Sequence, residues 1–268
     1  MVGASTEQVT QMQGRAVRAG RLAAVGLALA MLLKLYLQSR SMIEPDERLS
    51  FDIVRLVIGS PWGRGWLAQA TAALGALIGW RAMTKPAAAR WAGGLVVLSA
   101  LGLVLALPMT GHAIGLPAAG RLGYPLTVLH VGGGAIWLGT LGIILIAAIG
   151  PADPAFRLGP LVRAYSTIAL PAGLVTIGCG LVVAWRYVGG FGPLLSTVYG
   201  NVLLLKIAAL AGVAATGAYN WRVVLPRLET GQTAPLARSA RFETVVGIIL
   251  LAVTAVLVSL PAPGEHTP

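Results

Sequence analysis

Two histidines and a methionine that fall close together in an apolar chain offer donors for a soft or borderline metal ion. The stretch Pro108–Gly139, PMTGHAIGLPAAGRLGYPLTVLHVGGGAIWLG, holds His112 and His130, with Met109 three residues before the first. His112 falls in a Gly/Pro-rich loop and His130 inside an apolar run. Met42 and Met31 add further thioethers. Imidazole with thioether, and neither thiolate nor a carboxylate cage, suits copper: soft sulfur selects Cu(I), and imidazole accepts Cu(I) or Cu(II). Two histidines alone do not define a metal site. The plain alternative is a histidine bonded to a carbonyl to brace a loop, with methionines filling gaps.

The elements that must carry these residues are helices in lipid. Hydrophobic residues make up 56% of the chain and charged residues 11%, against about 25% charged in soluble domains, and mean hydropathy is +0.79. Continuous apolar runs without strand alternation select helices, because lipid leaves no backbone group unsatisfied. The expected fold is therefore all-α, a polytopic membrane helical bundle of about seven transmembrane helices. The runs are Leu22–Leu37, Trp66–Trp80 extended into its flanks, Trp91–Leu107, Tyr124–Ile149, Thr167–Tyr187, Val198–Trp221 and Phe242–Leu260. Phe51–Ile58, FDIVRLVI, is amphipathic and too short to span, which reads as an interfacial helix. Residues 1–21 form a polar N-terminal segment, 22–260 one membrane domain and 261–268 a polar tail. No repeat is visible along the chain.

Charge sets the expected orientation. With the N-terminus inside, the inner segments hold Arg15, Arg18, Arg21, Arg81, Lys85, Arg90, Arg157, Arg163, Arg222, Arg227, Arg238 and Arg241; the outer ones hold Arg40, Arg48, Arg55, Arg64, Arg121 and Arg186. Twelve against six favours N-in and C-out. Trp62, Trp66, Tyr124, Tyr187 and Tyr199 then form an outer aromatic belt, and Trp80, Trp91, Tyr219 and Trp221 an inner one. The net charge of +11 is thus a topology signal and no footprint of nucleic acid. On this topology His112 and His130 both lie on the outer side.

Other polar residues within the spans have structural and functional readings side by side. Lys206, near mid-span in GNVLLLKIAALAG, has no acidic residue at its depth, so it either ties helices together or controls a cation or proton path. Lys34 is near enough to a helix end to snorkel. Glu243 beside Arg241 reads as an interfacial ion pair, Cys179 as a small packing residue between glycines, and His266 as part of a polar tail. A single cysteine allows no intrachain disulfide. The absence of HExxH, Walker and GxSxG motifs and of paired carboxylates in the membrane supports neither a hydrolase nor an NTP-driven pump. Gly75 and Gly79, the triple glycine Gly132–Gly134, and Gly178 with Gly180 mark close helix contacts, and the triple glycine leaves room beside His130.

From His130 onward the chain resembles the CopD family of bacterial inner-membrane copper proteins. The resemblance rests on LHVGGGAIWLG (Leu129–Gly139), TVYGNVLLLKIAAL (Thr197–Leu210), YNWRVVLPRL (Tyr219–Leu228) and SARFETVVG (Ser239–Gly247). SPWGRGWLAQ (Ser60–Gln69) and TGHA (Thr110–Ala113) upstream are similar to it too. The family commonly has eight spans, and seven are counted here. The resemblance implies a non-enzymatic, multi-pass protein of the bacterial inner (plasma) membrane. It further implies a periplasm-facing role in copper uptake or tolerance, often beside the small periplasmic copper carrier CopC. It carries over onto His112 and His130 as copper ligands and onto Lys206 as a family-typical buried charge; Met109 and Met42, which also fall in the outer half on this topology, are the thioethers that would assist. Two readings from other classes stay open: a b-type cytochrome with haem on His112 and His130, and a non-catalytic membrane subunit whose histidines brace a loop.

Overall fold

The structure, a computed structural model, describes residues 6–111, 121–148, 158–224, 226–227, 234–260 and 263. Every regular element among them is helical. Contacts gather the chain into two compact units, Glu7–Gly115 and Leu116–Pro268. His112 and His266 lie outside the described residues, as do the side chains of Arg241 and Glu243.

The first unit is built from α1 (Thr6–Arg40), α2 (Phe51–Gly59), α3 (Pro61–Ala82) and α4 (Ala89–Ala106), the last continued by a 3-10 turn, Leu107–Thr110. The first helix begins well before the apolar run and carries the polar N-terminal residues with it. Ala24, Met31 and Ser39 are its buried face, while Leu22, Leu29, Leu32, Leu33 and Leu37 stay exposed. The Trp66 indole donates to the Met31 carbonyl at 2.9 Å, and the Trp80 ring lies against Gly20. α1 therefore touches α3 near both ends of α3. On the opposite side of α3, Gly75 and Gly79 admit Ser99 and Val96 of α4, as the GxxxG spacing predicts.

The second unit holds α5 (Gly123–Ala148), α6 (Leu158–Val188), α7 (Phe191–Ser196), α8 (Val198–Tyr219) and α9 (Ala234–Ser259), with a π-helical turn, Asn220–Val224, after α8. α5 packs on α6, and α8 on both α7 and α9. Val188, Tyr199, Leu203 and Leu257 close a core where α6, α8 and α9 meet.

One local device occurs in both units, which corrects the expectation that nothing repeats. In the first, the short α2 turns into α3 at Ser60, whose hydroxyl accepts from Gly63 N at 3.1 Å and donates to Val57 O at 2.7 Å. In the second, the short α7 turns into α8 at Thr197, whose hydroxyl accepts from Gly200 N at 3.0 Å and donates to Pro193 O at 2.6 Å. The hydroxyl caps the helix that starts and also holds the one that ends. Gly63 and Gly200 are required by close approach: a Cβ on the first would run into the carbonyl oxygens of Val57 and Ile58, and on the second into those of Pro193 and Leu194. α7 was not anticipated, because FGPLLS is too short to show a period. Gly200→Ala, and likewise Gly63→Ala, is expected to cost about 1–3 kcal/mol, the range for overpacking a filled site. Thermal unfolding in detergent measures it, and unchanged midpoints in both variants would contradict a tight elbow.

Among the described residues, four helices are long and apolar enough to cross a membrane: Thr10–Arg40, Pro86–Thr110, Ser166–Val188 and Val198–Tyr219. The shortest has 22 residues, about 33 Å at about 1.5 Å per residue, against a hydrocarbon core of about 30 Å. Their exposed leucines and valines are the surface that lipid would cover.

Candidate functional site

Two polar centres stand out, one in each unit. In the first unit the Lys34 ammonium does not snorkel; it turns into the helix contact. It donates to Gln69 Oε1 at 2.9 Å and to Thr110 Oγ1 at 2.6 Å, with its charge 5.8 Å from the centre of the Trp62 ring. Gln69, fully buried, passes the network on from Nε2 to Ala106 O at 2.8 Å and to Thr110 Oγ1 at 2.9 Å. Burying an ammonium without a carboxylate is tolerable only when acceptors surround it, and here amide, hydroxyl and aromatic face do so. α1, α3 and the turn after α4 are thereby tied at one point. Trp62 and Gln69 come from SPWGRGWLAQ and Thr110 from TGHA, so two separate sequence pieces prove to be halves of one network. Sequence reasoning missed Gln69 and Thr110. The available signal was a glutamine in an otherwise apolar helix face.

Met109 and Met42 sit on two different turns of this unit, Met109 in the 3-10 turn beside Thr110 and Met42 just beyond α1, and both are exposed. Met31 is buried, with its backbone carbonyl engaged by Trp66. Met31 thus serves packing, and Met42 and Met109 are the thioethers within reach of a ligand.

In the second unit the His130 ring is half-buried between α5 and α6. Its Nδ1 lies 2.6 Å from the backbone oxygen of Thr176. A carbonyl oxygen only accepts, so Nδ1 carries the proton and donates. The neutral ring then presents the bare lone pair of Nε2. That arrangement is the one metal-bound histidines show, where the second ring nitrogen donates to a carbonyl or carboxylate that fixes tautomer and orientation.

The groove that admits the ring is made by Gly180, not by the triple glycine. A Cβ on Gly180 would come within 2.7 Å of both Cε1 and Nδ1 of the imidazole. Of the triple glycine, Gly133 admits the Thr176 hydroxyl and the Ala172 carbonyl, drawing α6 onto α5. The Thr176 hydroxyl is turned back to Ala172 O at 2.8 Å, and its carbonyl faces His130. Trp137 lies over Gly173 one turn away. Cys179, beside this contact, is a partly buried free thiol.

Lys206 lies on α8 and is half-buried. It has neither a hydrogen-bond acceptor nor a carboxylate among the described residues. Nor do three His, Cys, Asp or Glu side chains gather anywhere among those residues. Of the ligands read from the sequence, His130 stands in the second unit and Met42 and Met109 in the first; His112 lies outside the described residues. Thr176 and Gly180 were missed, since a backbone acceptor leaves no trace in a side-chain pattern.

Residues 159–257, from the start of α6 nearly to the end of α9, match the family model described as copper resistance protein D, CopD. In that segment the chain is similar to the CopD family. Thr176, Gly180 and Lys206 fall inside the matched segment, and His130 lies outside it, on the preceding helix. The copper transport protein CutJ of Bacillus subtilis (strain 168) is 28% identical over 263 residues, which is 95% of this chain and 47% of that protein. The chain thus spans about half the length of the curated relative it matches. No solved structure matches it. The likeness to this family and the apolar helices make the chain a membrane protein.

Proposed function

We propose that the chain is a non-enzymatic, multi-pass copper permease of the bacterial inner membrane, and that it takes copper from the periplasmic face through His130. The observation that carries this reading is the fixed imidazole: Nδ1 committed to the Thr176 carbonyl and Nε2 left bare.

In this reading His130 and His112 bind copper as cargo, Met109 and Met42 assist as thioether donors, and a CopC-like periplasmic carrier delivers the ion. α3 and α5, of 22 and 26 residues, and α9 join the four long apolar helices to give seven spans. The excess of basic residues on alternate loops supports N-in and C-out. With no phosphate-binding loop in this sequence, movement of the ion draws on its own gradient, the membrane potential or a partner.

The test is the copper content and absorption spectrum of purified protein from cells supplied with copper and haem. Wild type is expected to carry near-stoichiometric copper without a Soret band, and His130→Ala and His112→Ala to lose it. A Soret band that vanishes with either histidine would make the protein an electron carrier. Equal copper in wild type and His130→Ala would remove His130 from the site.

A further inference from the structure

Residues 189–197, GGFGPLLST, join two helices that are each long and apolar enough to cross a membrane, one ending at Val188 and the next starting at Val198. Two consecutive spans are joined on one side of the bilayer, so this segment sits at a membrane surface whichever way the protein is inserted. Gly189, at φ +74°, takes the chain out of the path of α6, and its N–H closes that helix on Trp185 O at 2.9 Å. α7 follows and is turned into α8 at Thr197. With 6 residues it is about 9 Å long at about 1.5 Å per residue.

Successive helical residues point about 100° apart, which divides α7 into three faces. Leu194 packs on the core of Val188, Tyr199, Leu203 and Leu257. Next to it around the helix come Phe191 and Leu195, four residues apart, which are 72% and 69% exposed. Beyond them Gly192 and Ser196 form an exposed stripe of small residues, with the Ser196 hydroxyl bonded to Gly192 O at 2.9 Å. Core, exposed apolar and small polar faces thus follow one another in order.

The exposed apolar stripe is continuous with the sides of the two spans. The Phe191 ring meets Trp185 of α6 edge to face, with centroids 5.0 Å apart and planes at 67°. Trp185 is itself exposed, as are Val182 and Leu181 further down α6 and Val198 at the start of α8. The segment carries no charged residue, so it offers nothing to match a charged partner, whereas its apolar stripe suits the boundary between headgroups and acyl chains.

We infer that α7 is a lipid-binding foot of the second unit, with Phe191 and Leu195 inserted at the headgroup–acyl boundary and Gly192 and Ser196 facing water. The inference rests on the reading of α6 and α8 as spans given above and is independent of copper. The foot holds by apolar insertion, and a zwitterionic bilayer suffices for it. An aromatic ring at this depth, backed by Trp185, sits where membrane proteins concentrate their aromatic residues.

The experiment uses the full chain in nanodiscs of phosphatidylcholine, with Cys179→Ala as background and a nitroxide label on one introduced cysteine at a time. The stripe is probed by Phe191→Cys and Leu195→Cys, the water face by Ser196→Cys, and the spans by Leu174→Cys and Leu205→Cys, which are exposed on α6 and α8. Collisions of the label with oxygen, which concentrates in lipid, are compared with collisions with a water-soluble nickel chelate. Oxygen is expected to dominate at both stripe positions and at both span positions, and nickel at Ser196→Cys. Two positions on the stripe keep the result readable should one variant fold poorly. Nickel dominating on the stripe while oxygen dominates on the spans would put α7 in water and overturn the foot alone. Shielding of the stripe from both reagents would mean that a second copy or another protein covers it, and would overturn the foot as well. Oxygen dominating at Ser196→Cys would overturn the interfacial placement. Spans that do not favour oxygen would overturn the reading on which the inference rests.

Discussion

Replacing Gln69 with leucine is expected to lower the stability of the first unit by about 3–5 kcal/mol, the cost of leaving a buried charge without its partner. Leucine has nearly the volume of glutamine, so little cavity opens and the loss is electrostatic. The Lys34 ammonium keeps only the Thr110 hydroxyl and the Trp62 face, and the Ala106 carbonyl loses a donor. The check is a double-mutant cycle by thermal unfolding in nanodiscs, adding Lys34→Met and the pair Lys34→Met/Gln69→Leu. Removing both polar partners also removes the orphaned charge, so the double variant should be more stable than Gln69→Leu alone. A single variant within about 0.5 kcal/mol of wild type, the scatter of ordinary surface changes, would show that water already satisfies the ammonium.

A second large effect is expected from a methyl group. Gly180→Ala places a carbon within 2.7 Å of two atoms of the His130 ring, and the ring, at the end of a rotatable side chain, is what gives way. Alanine is otherwise the better helix residue by about 0.5–1 kcal/mol, so α6 itself is not weakened. Once swung aside, the imidazole loses its bond to Thr176 O. Copper affinity should fall by about 10–100-fold, the usual effect of removing the group that orients a ligating histidine. His130→Ala should abolish binding at this ligand altogether. Competition with a chelator of known affinity separates the three proteins; a Gly180→Ala variant that binds as wild type does would mean that the ring orientation is irrelevant to copper.

The helical membrane character was legible from the apolar runs, and so was α2, whose amphipathic FDIVRLVI stands out in a loop. The glycine spacing at Gly75 and Gly79 correctly marked a helix contact. What escaped detection depended on backbone atoms or on partners far along the chain. Lys34 lies near a helix end, where a lysine ordinarily reaches for water, and nothing nearby in sequence shows that Gln69 and Thr110 receive it. His130 was singled out from its type and setting, yet its orientation is set by a carbonyl and a missing side chain, neither of which a residue pattern records. The second elbow was hidden because Val198 and Tyr199 follow its cap where Pro61 and Trp62 follow the first. Lys206 stood out as a charge in an apolar run.

The Lys34 network has a consequence for how the protein is made. Its acceptors lie 35 and 76 residues further along the chain, so α1 leaves the ribosome long before they exist. At about 5–20 residues per second, the last of them follows roughly 4–15 s later. Until Gln69 is made, about halfway through that interval, α1 carries a lysine that has only the headgroups or the insertion machinery to turn to. The first helix is therefore seated by the third long one, and the nascent chain passes through a stage in which release from the machinery is premature. Truncation before Thr110 should leave a chain that quality-control proteases recognise, although every apolar segment needed for insertion up to that point is present.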